Sequence, residues 1–158
     1  MDDTGKKEAL RLFTYGLYAV TTGDVGEWNA FTANWLSQVS FDPPLVAVSV
    51  ENVTTSLPLI RKSKRFAVNV YAADQRDLAG RLGKPYARSP EKLQGLHVGH
   101  AAGGTPVLLG TLAYVECAVE SELAAGDSTI VLGRVMDAQV FRRDEPLTMR
   151  AAGFKHAG

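Results

Sequence analysis

The first fifteen residues carry apolar side chains at helical spacing. These apolar positions are Ala9, Leu10, Phe13 and, just beyond, Leu17. Recurrence at three and four residues predicts an amphipathic helix over 4–15 whose apolar face packs on the core. Thr4 is the predicted N-cap and Gly16 the predicted end of this helix, because hydroxyls satisfy free N–H groups and glycine ends helices readily.

From residue 17 onward the pattern becomes that of short strands separated by turn residues. We predict strands over 17–22, 28–40, 45–50, 65–71, 108–123 and 129–141, with short helices over 56–62 and 74–82. The strand over 28–40 is interrupted in character, and 84–104 is irregular. Within 108–123, Ala113, Val115, Cys117 and Val119 alternate with Tyr114, Glu116, Ala118 and Glu120. The C-terminal stretch from Pro146 reads as a polar tail.

Six or seven strands that follow one another through short turns favour an antiparallel sheet closed into a barrel. The sequence contains no Gly-x-Gly-x-x-Gly, which argues against a Rossmann nucleotide site. No linker or repeat divides the chain. We therefore predict one mainly β domain over 1–158, with a few short helices.

Composition narrows the classes of partner. Seventeen basic residues balance seventeen acidic ones, so bulk charge gives no attraction to nucleic acid or to an anionic membrane. A single cysteine, Cys117, permits no intrachain disulfide. No apolar run approaches the roughly 20 residues of a membrane span, and no signal peptide is evident. These features predict a soluble cytoplasmic protein.

The usual catalytic and metal motifs are missing. Three histidines, His97, His100 and His156, have no neighbouring cluster of cysteines or carboxylates. No Gly-x-Ser-x-Gly is present, which argues against an elbow-serine hydrolase. Cys117 lies mid-strand on an apolar face and is predicted to be a buried small hydrophobe. We therefore predict no metal site and no catalytic acid, base or nucleophile.

A polar stretch between residues 29 and 40 does not alternate as a half-buried strand should. Thr32, Asn34, Ser37, Gln38 and Ser40 stand among apolar neighbours. Because an unpaired buried polar group costs about 1–3 kcal/mol, these side chains need partners. The partner is either a bound polar ligand or the backbone of an irregular strand, and the stretch alone favours neither.

A second polar group precedes the predicted helix over 56–62. Thr54, Thr55 and Ser56 place three hydroxyls at its start, with Ser56 as N-cap. Free N–H groups and a positive partial charge make a helix N-terminus a natural phosphate seat. Nearby cations, Arg61, Lys62, Lys64 and Arg65, add positive charge. The alternative is ordinary capping with a solvated basic face.

Several segments together resemble the flavin reductase-like FMN-binding family. The first is Tyr15-Gly16-Leu17-Tyr18-Ala19-Val20-Thr21-Thr22, followed by Thr32-Ala33-Asn34-Trp35 and by Val39-Ser40-Phe41-Asp42-Pro43-Pro44-Leu45-Val46. The match continues through Ser56-Leu57-Pro58-Leu59-Ile60, Phe66-Ala67-Val68-Asn69-Val70, Gly126-Asp127 and 130–135, and then from Pro146-Leu147 to Phe154. It covers nearly the whole chain, and flavoredoxin-like proteins are similar in pattern.

The resemblance implies an antiparallel Greek-key split β-barrel that dimerises and holds FMN near the dimer interface. It implies that the flavin is contacted by Asn29, Thr32, Ala33, Asn34 and Trp35. The ribityl phosphate is reached by Val50, Glu51, Thr54, Thr55 and Ser56. Lys92 matches a lysine that supports the cofactor, and Phe154 matches an aromatic residue near the ring.

One departure from the family pattern bears on activity. Many members have histidine after Gly-Asp at the turn before the last long strand, where this chain has Ser128. The leading interpretation is an oxidoreductase that passes electrons from NADH or NADPH through bound FMN to free flavin, an iron centre, or a partner such as a monooxygenase. Ser128 favours the alternative, a flavoredoxin-like electron carrier with little NAD(P)H activity of its own. A third interpretation is a barrel that binds another planar ligand, such as haem, or none.

Overall fold

The computed structural model describes residues 1–156 of the chain. The helices are α1 (Asp3–Arg11), α2 (Ser56–Ser63), α3 (Arg76–Leu82) and α4 (Met149–Ala152), with a short 3-10 helix at Pro90–Leu93. The strands are β1 (Tyr18–Asp24), β2 (Glu27–Ala33), β3 (Leu36–Ser40), β4 (Leu45–Glu51), β5 (Arg65–Val70), β6 (Val98–His100), β7 (Pro106–Leu108), β8 (Ala113–Ala125) and β9 (Ser128–Val140).

Seven strands form one antiparallel sheet in the order β2-β1-β5-β8-β9-β4-β3. β5 returns beside β1 after β3 and β4, which is a Greek-key connection. The sheet curls around a single cluster to which β1, β2, β4, β5, β8 and β9 all contribute side chains, and α2 adds Leu57 and Ile60 to it. Its two edges, β2 and β3, are consecutive in the chain, so the barrel is split between them. The predicted mainly β split barrel is confirmed.

A second cluster attaches α3 and the C-terminal segment to the barrel. Tyr71, Leu82 and Leu147 are buried there together with Met149. Leu147 N–H donates to the Tyr71 carbonyl (2.9 Å), and Met149 N–H donates to the Tyr15 carbonyl (2.9 Å). The prediction of a polar tail from Pro146 was therefore wrong for residues 146–152. The backbone hydrogen bonds fix this segment against the barrel, so that its few apolar side chains are buried. Residues 157–158 lie outside the described range.

The first helix differs from its prediction. Asp2, not Thr4, caps α1, since its carboxylate accepts from the N–H groups of Thr4 and Gly5. No residue of α1 is buried, and Phe13 is 61% exposed. The helix contains only Ala9 and Leu10 as apolar residues, too few to form a buried face. Of the predicted inward set only Leu17, after the helix, reaches a core cluster.

Two predicted strands have different bounds in the structure. The interrupted strand over 28–40 is β2 and β3, separated at Asn34–Trp35. Of the predicted strand over 108–123, only 113–123 lies in the main sheet, as part of β8. Leu108 instead ends β7, which pairs with β6 from the irregular stretch in a separate two-stranded sheet. Alternation along β8 is also broken by a bulge between Glu116 and Cys117, so both side chains are buried. Among residues 1–156, no helix has the length and apolarity needed to cross a membrane.

Candidate functional site

A cleft of about 540 Å³ lies where the split between β2 and β3 meets the end of β4, α3 and the C-terminal segment. Its lining combines aromatic side chains, hydroxyls, an amide and a carboxylate. The lining residues are Leu17, Phe31, Thr32, Ala33, Asn34, Trp35, Ser49, Glu51, Thr54, Ala79, Gly80, Gly83, Lys84, Pro85, Met149, Phe154 and His156. The volume falls within the range of small-molecule and cofactor sites.

Aromatic rings form the apolar wall of the cleft. Phe31 comes from β2, Trp35 from the link between β2 and β3, and Phe154 from the segment after α4. The guanidinium of Arg76 lies 5.2 Å from the centre of the Phe154 ring, and its Nε donates to the Ala152 carbonyl. A Cβ at Gly80 would lie 3.4 Å from the Phe154 ring, which is ordinary contact distance, so α3 approaches the ring closely at this residue.

The polar residues between 29 and 40 fall into two groups, those that line the cleft and those that bond to backbone. Thr32 Oγ1 donates to the Ala79 carbonyl (2.6 Å) and lies 2.9 Å from the Tyr71 hydroxyl, whose pKa burial raises. Asn34 Nδ2 is 3.4 Å from Met149 Sδ. Ser37 and Gln38 are exposed and donate to nearby backbone carbonyls. Thr32 and Asn34 therefore line the cleft, while the later polar residues follow the backbone-bonded alternative.

The three hydroxyls before α2 are not equivalent. Thr54 lines the cleft, donates to the Glu51 carbonyl (2.9 Å) and accepts from the Leu57 N–H (3.4 Å). Thr55 is the N-cap, exposed and without a side-chain cap bond. Ser56 is fully buried and accepts from Asn29 Nδ2 (2.9 Å). The prediction of Ser56 as N-cap was wrong, because its hydroxyl faces β2 instead of the helix end.

Seven predicted cofactor contacts therefore share one cleft: Thr32, Ala33, Asn34, Trp35, Glu51, Thr54 and Phe154. The other predicted contacts do not line it. Val50 is a core residue, Asn29 and Ser56 bond to each other behind the start of α2, and Thr55 lies at the surface beside Thr54.

Lys92 is buried next to the cleft but does not open into it. Its Nζ donates to the carbonyls of Leu82 (2.9 Å) and Lys84 (2.7 Å), at the turn that forms one cleft wall. Burial lowers the pKa of Lys92 to about 8. The residue thus supports the shape of the wall instead of presenting its charge to a ligand.

The predicted basic patch near α2 is largely neutralised. Arg61 pairs with Glu122 (2.9 Å), Lys62 with Glu27 (3.0 Å) and Arg65 with Asp24 (2.9 Å). None of these cations lines the cleft, because they lie toward the C-terminal end of α2.

Sequence reasoning missed several lining residues. Lys84 follows α3 directly after its C-cap, and a lysine in an irregular stretch carries no signal that could have marked it. His156 lines the cleft from the C-terminal segment, which is far from Trp35 in sequence. Met149 was assigned to a polar tail, although its buried position follows from α4.

Comparison with known proteins gives the family. Residues 10–158 match the model of the flavin reductase like domain. The chain belongs to the flavin reductase-like family. Family membership confirms the predicted fold and the predicted class of FMN-dependent oxidoreductase. The individual site residues remain predictions.

Three similar proteins illustrate the family. High molecular weight rubredoxin of Moorella thermoacetica is 34% identical over 89% of this chain, which spans only 62% of that protein. FMN reductase (NADH) SmoA of Agrobacterium fabrum is 34% identical over 94% of this chain and 82% of its own length. The structure of nitrilotriacetate monooxygenase component B from Mycobacterium thermoresistibile is 29% identical, with a TM-score of 0.82 over 92% of this chain and 80% of that one.

Proposed function

We propose that FMN binds in the cleft with its ring against the aromatic wall and its phosphate at the start of α2. The observation that carries this proposal is the convergence of two separate polar stretches, Thr32–Trp35 and Glu51–Thr54, on one cavity of about 540 Å³. A flavin needs a flat apolar surface for its ring, polar groups for its edge and hydrogen-bond donors for its phosphate.

The ring end of the cleft fits these requirements. Phe31, Trp35 and Phe154 offer apolar faces, and the Asn34 amide offers both a donor and an acceptor to a ring edge. The Arg76 guanidinium lies over the Phe154 ring, and α3 comes close to this ring at Gly80.

The phosphate end fits as well. Thr55 has an exposed hydroxyl without a side-chain cap bond at the N-cap of α2, and Thr54 lies beside it in the cleft. N–H groups at a helix start favour an anion. Ser56 and Asn29 support this end indirectly, since their hydrogen bond ties α2 to β2.

The proposed activity is transfer of electrons from NADH or NADPH, through the bound flavin, to free flavin, an iron centre or a partner enzyme such as a monooxygenase. FMN supplies the redox chemistry, and the protein supplies position and surroundings. The names of SmoA, an NADH-dependent FMN reductase, and of a monooxygenase component among the similar structures support this proposal. The chain's own contribution is to orient the ring and to exclude water from one of its faces.

A second candidate is a flavin electron carrier with little NAD(P)H activity. Ser128, at the position of the family histidine, is buried and donates to the Asp127 carboxylate (3.1 Å). The turn before β9 therefore presents no imidazole to a pyridine nucleotide, which favours this candidate.

Anaerobic reduction separates the two. Protein loaded with FMN is mixed with NADH or NADPH, and the flavin absorbance is followed. Bleaching within seconds supports the reductase. Bleaching by dithionite but not by either nucleotide supports the carrier, and a protein that takes up no FMN contradicts both.

We also infer that the protein works as a homodimer in the cytoplasm. The edge strand β3 and the residue after it expose apolar side chains, with Val39 54% and Phe41 92% exposed, which suits contact with a second copy. Light scattering coupled to size exclusion should give twice the mass of one chain. A monomer at micromolar concentration would contradict the dimer.

A further inference from the structure

His156 contacts three side chains of the cleft at once. Its ring stacks on Trp35, with centroids 4.7 Å apart and planes inclined by 22°. Its Nδ1 lies 3.0 Å from Asn34 Oδ1, and its Nε2 lies 3.7 Å from Glu51 Oε1. Trp35 and Asn34 are among the residues expected to contact the flavin ring, and Glu51 is among those expected to reach the ribityl phosphate.

The imidazole therefore occupies the aromatic face and the hydrogen-bond acceptor that a flavin ring would use. One aromatic face of Trp35 is covered by a parallel ring, and stacking is the arrangement that a flat conjugated ligand would adopt there. The Asn34 carbonyl oxygen is the acceptor that a ring N–H would seek, and it already faces His156 Nδ1. Two rings cannot both stack on the same face of Trp35.

Little else holds His156 in place. The last backbone hydrogen bond of this segment within residues 1–156 runs from Phe154 N–H to the Met149 carbonyl (3.3 Å). Lys155 and His156 make no backbone bond within that range, and the His156 side chain is 50% exposed. The side-chain contacts therefore hold the imidazole on Trp35. A ligand that replaces these contacts can displace residues 155–156 without unfolding a helix or strand.

We propose that His156 is a tethered competitor of the flavin: its imidazole occupies the ring position on Trp35 and lowers the affinity of the cleft for FMN. The inference rests on the proposed FMN site. A protein whose binding-competent form is only a fraction of the population binds with an affinity reduced by that fraction. His156 thereby sets how much flavin the protein retains at a given flavin concentration.

The test compares His156→Ala with Lys155→Ala, a matched control in the neighbouring residue, which does not line the cleft. FMN binding is titrated by the change in flavin fluorescence, and stopped-flow mixing gives the association and dissociation rates. Loss of one stacked pair and one hydrogen bond should tighten FMN binding by about 5- to 30-fold in His156→Ala. Lys155→Ala should bind as wild type does.

The rates distinguish competition from direct contact. If the imidazole must leave before the ring enters, His156→Ala accelerates association and leaves dissociation unchanged. His156→Phe keeps a stacking ring but loses the polar contacts, so its affinity should fall between wild type and His156→Ala.

Unchanged or weaker FMN binding in His156→Ala overturns the inference, and so does an effect confined to the dissociation rate. In those cases wild-type protein still binds FMN, and the proposed function stands. If neither wild type nor any variant binds FMN, the proposed function and this inference fall together.

Discussion

Lys92 is buried beneath the turn that closes one side of the cleft. Lys92→Met keeps a similar length and apolar stem but leaves the carbonyls of Leu82 and Lys84 without their donor. We expect the free energy of unfolding to fall by about 1–3 kcal/mol, and FMN binding to weaken as the wall loosens. Urea unfolding and flavin titration measure the two effects. Lys7→Met, on the exposed face of α1, is the control and should change neither.

At the same scale, residue type alone identified part of the site. Thr32 and Asn34 stood out because polar side chains among apolar neighbours need partners, and both line the cleft. Asn29 stood next to the same stretch, yet its amide turns behind α2 to Ser56. The direction in which a side chain leaves the backbone decides between these outcomes, and residue type does not encode it.

At the scale of elements, the start of α2 separates two kinds of hydroxyl. Ser56→Ala leaves the buried Asn29 amide without its acceptor and should lower the free energy of unfolding by about 1–3 kcal/mol. Thr55→Ala removes an exposed hydroxyl without a cap bond and should leave stability nearly unchanged while weakening FMN binding. Denaturation midpoints and FMN titrations of the two single variants measure this contrast. Equal loss of stability in both would contradict the assignment.

The turn after β6 is held to the β8–β9 hairpin by a carboxylate. Asp137 Oδ2 accepts from the Ala102 N–H (2.9 Å) and from the Tyr114 hydroxyl (2.7 Å), and these bonds lower the pKa of Asp137. The same hydrogen bond to Asp137 is the main cause that raises the pKa of Tyr114 to about 12.

A carboxyl whose pKa is lower in the folded state stabilises the fold above its unfolded pKa, near 4, and this contribution is lost as pH falls through the folded value. Wild type should therefore exceed Asp137→Asn in urea midpoint at pH 7, and the difference should close as pH falls toward 3. A difference that stays constant across this range would show that the carboxylate charge is not responsible.

The prediction of helices and strands succeeded where the buried side chains of an element all pack on one core cluster. The strand over 45–50 and the helix over 74–82 match β4 and α3 closely, because the apolar residues of each element pack on one core cluster. It found α1 but wrongly predicted a buried face, because the apolar residues of this helix have no buried partner. It also began the strand over 108–123 five residues before β8, since Leu108 ends β7, which pairs with β6. Pairing between strands depends on the tertiary fold, and the sequence pattern of one strand does not specify its partner.

At the scale of the whole molecule, the barrel closes tightly around Gly133. A Cβ at this position would lie 2.6 Å from the Phe66 ring and 2.7 Å from Cys117 Cβ. Gly133→Ala should therefore lower the free energy of unfolding by about 1–3 kcal/mol through overpacking. Gly110→Ala meets no atom within 4 Å and should be close to neutral. Chemical denaturation of both variants measures the difference, and a neutral Gly133→Ala would show that the core has room at this point.

By itself, the sequence determined the class of fold, the family, and which stretches would carry polar groups to the cleft. These properties follow from local period, composition and motif, which depend on near neighbours in the chain. The tertiary structure alone decided that Ser56 turns away from the cleft, that Lys92 supports its wall, and that His156 covers Trp35. Such contacts depend on which distant segments meet when the sheet curls, and no local pattern specifies that meeting.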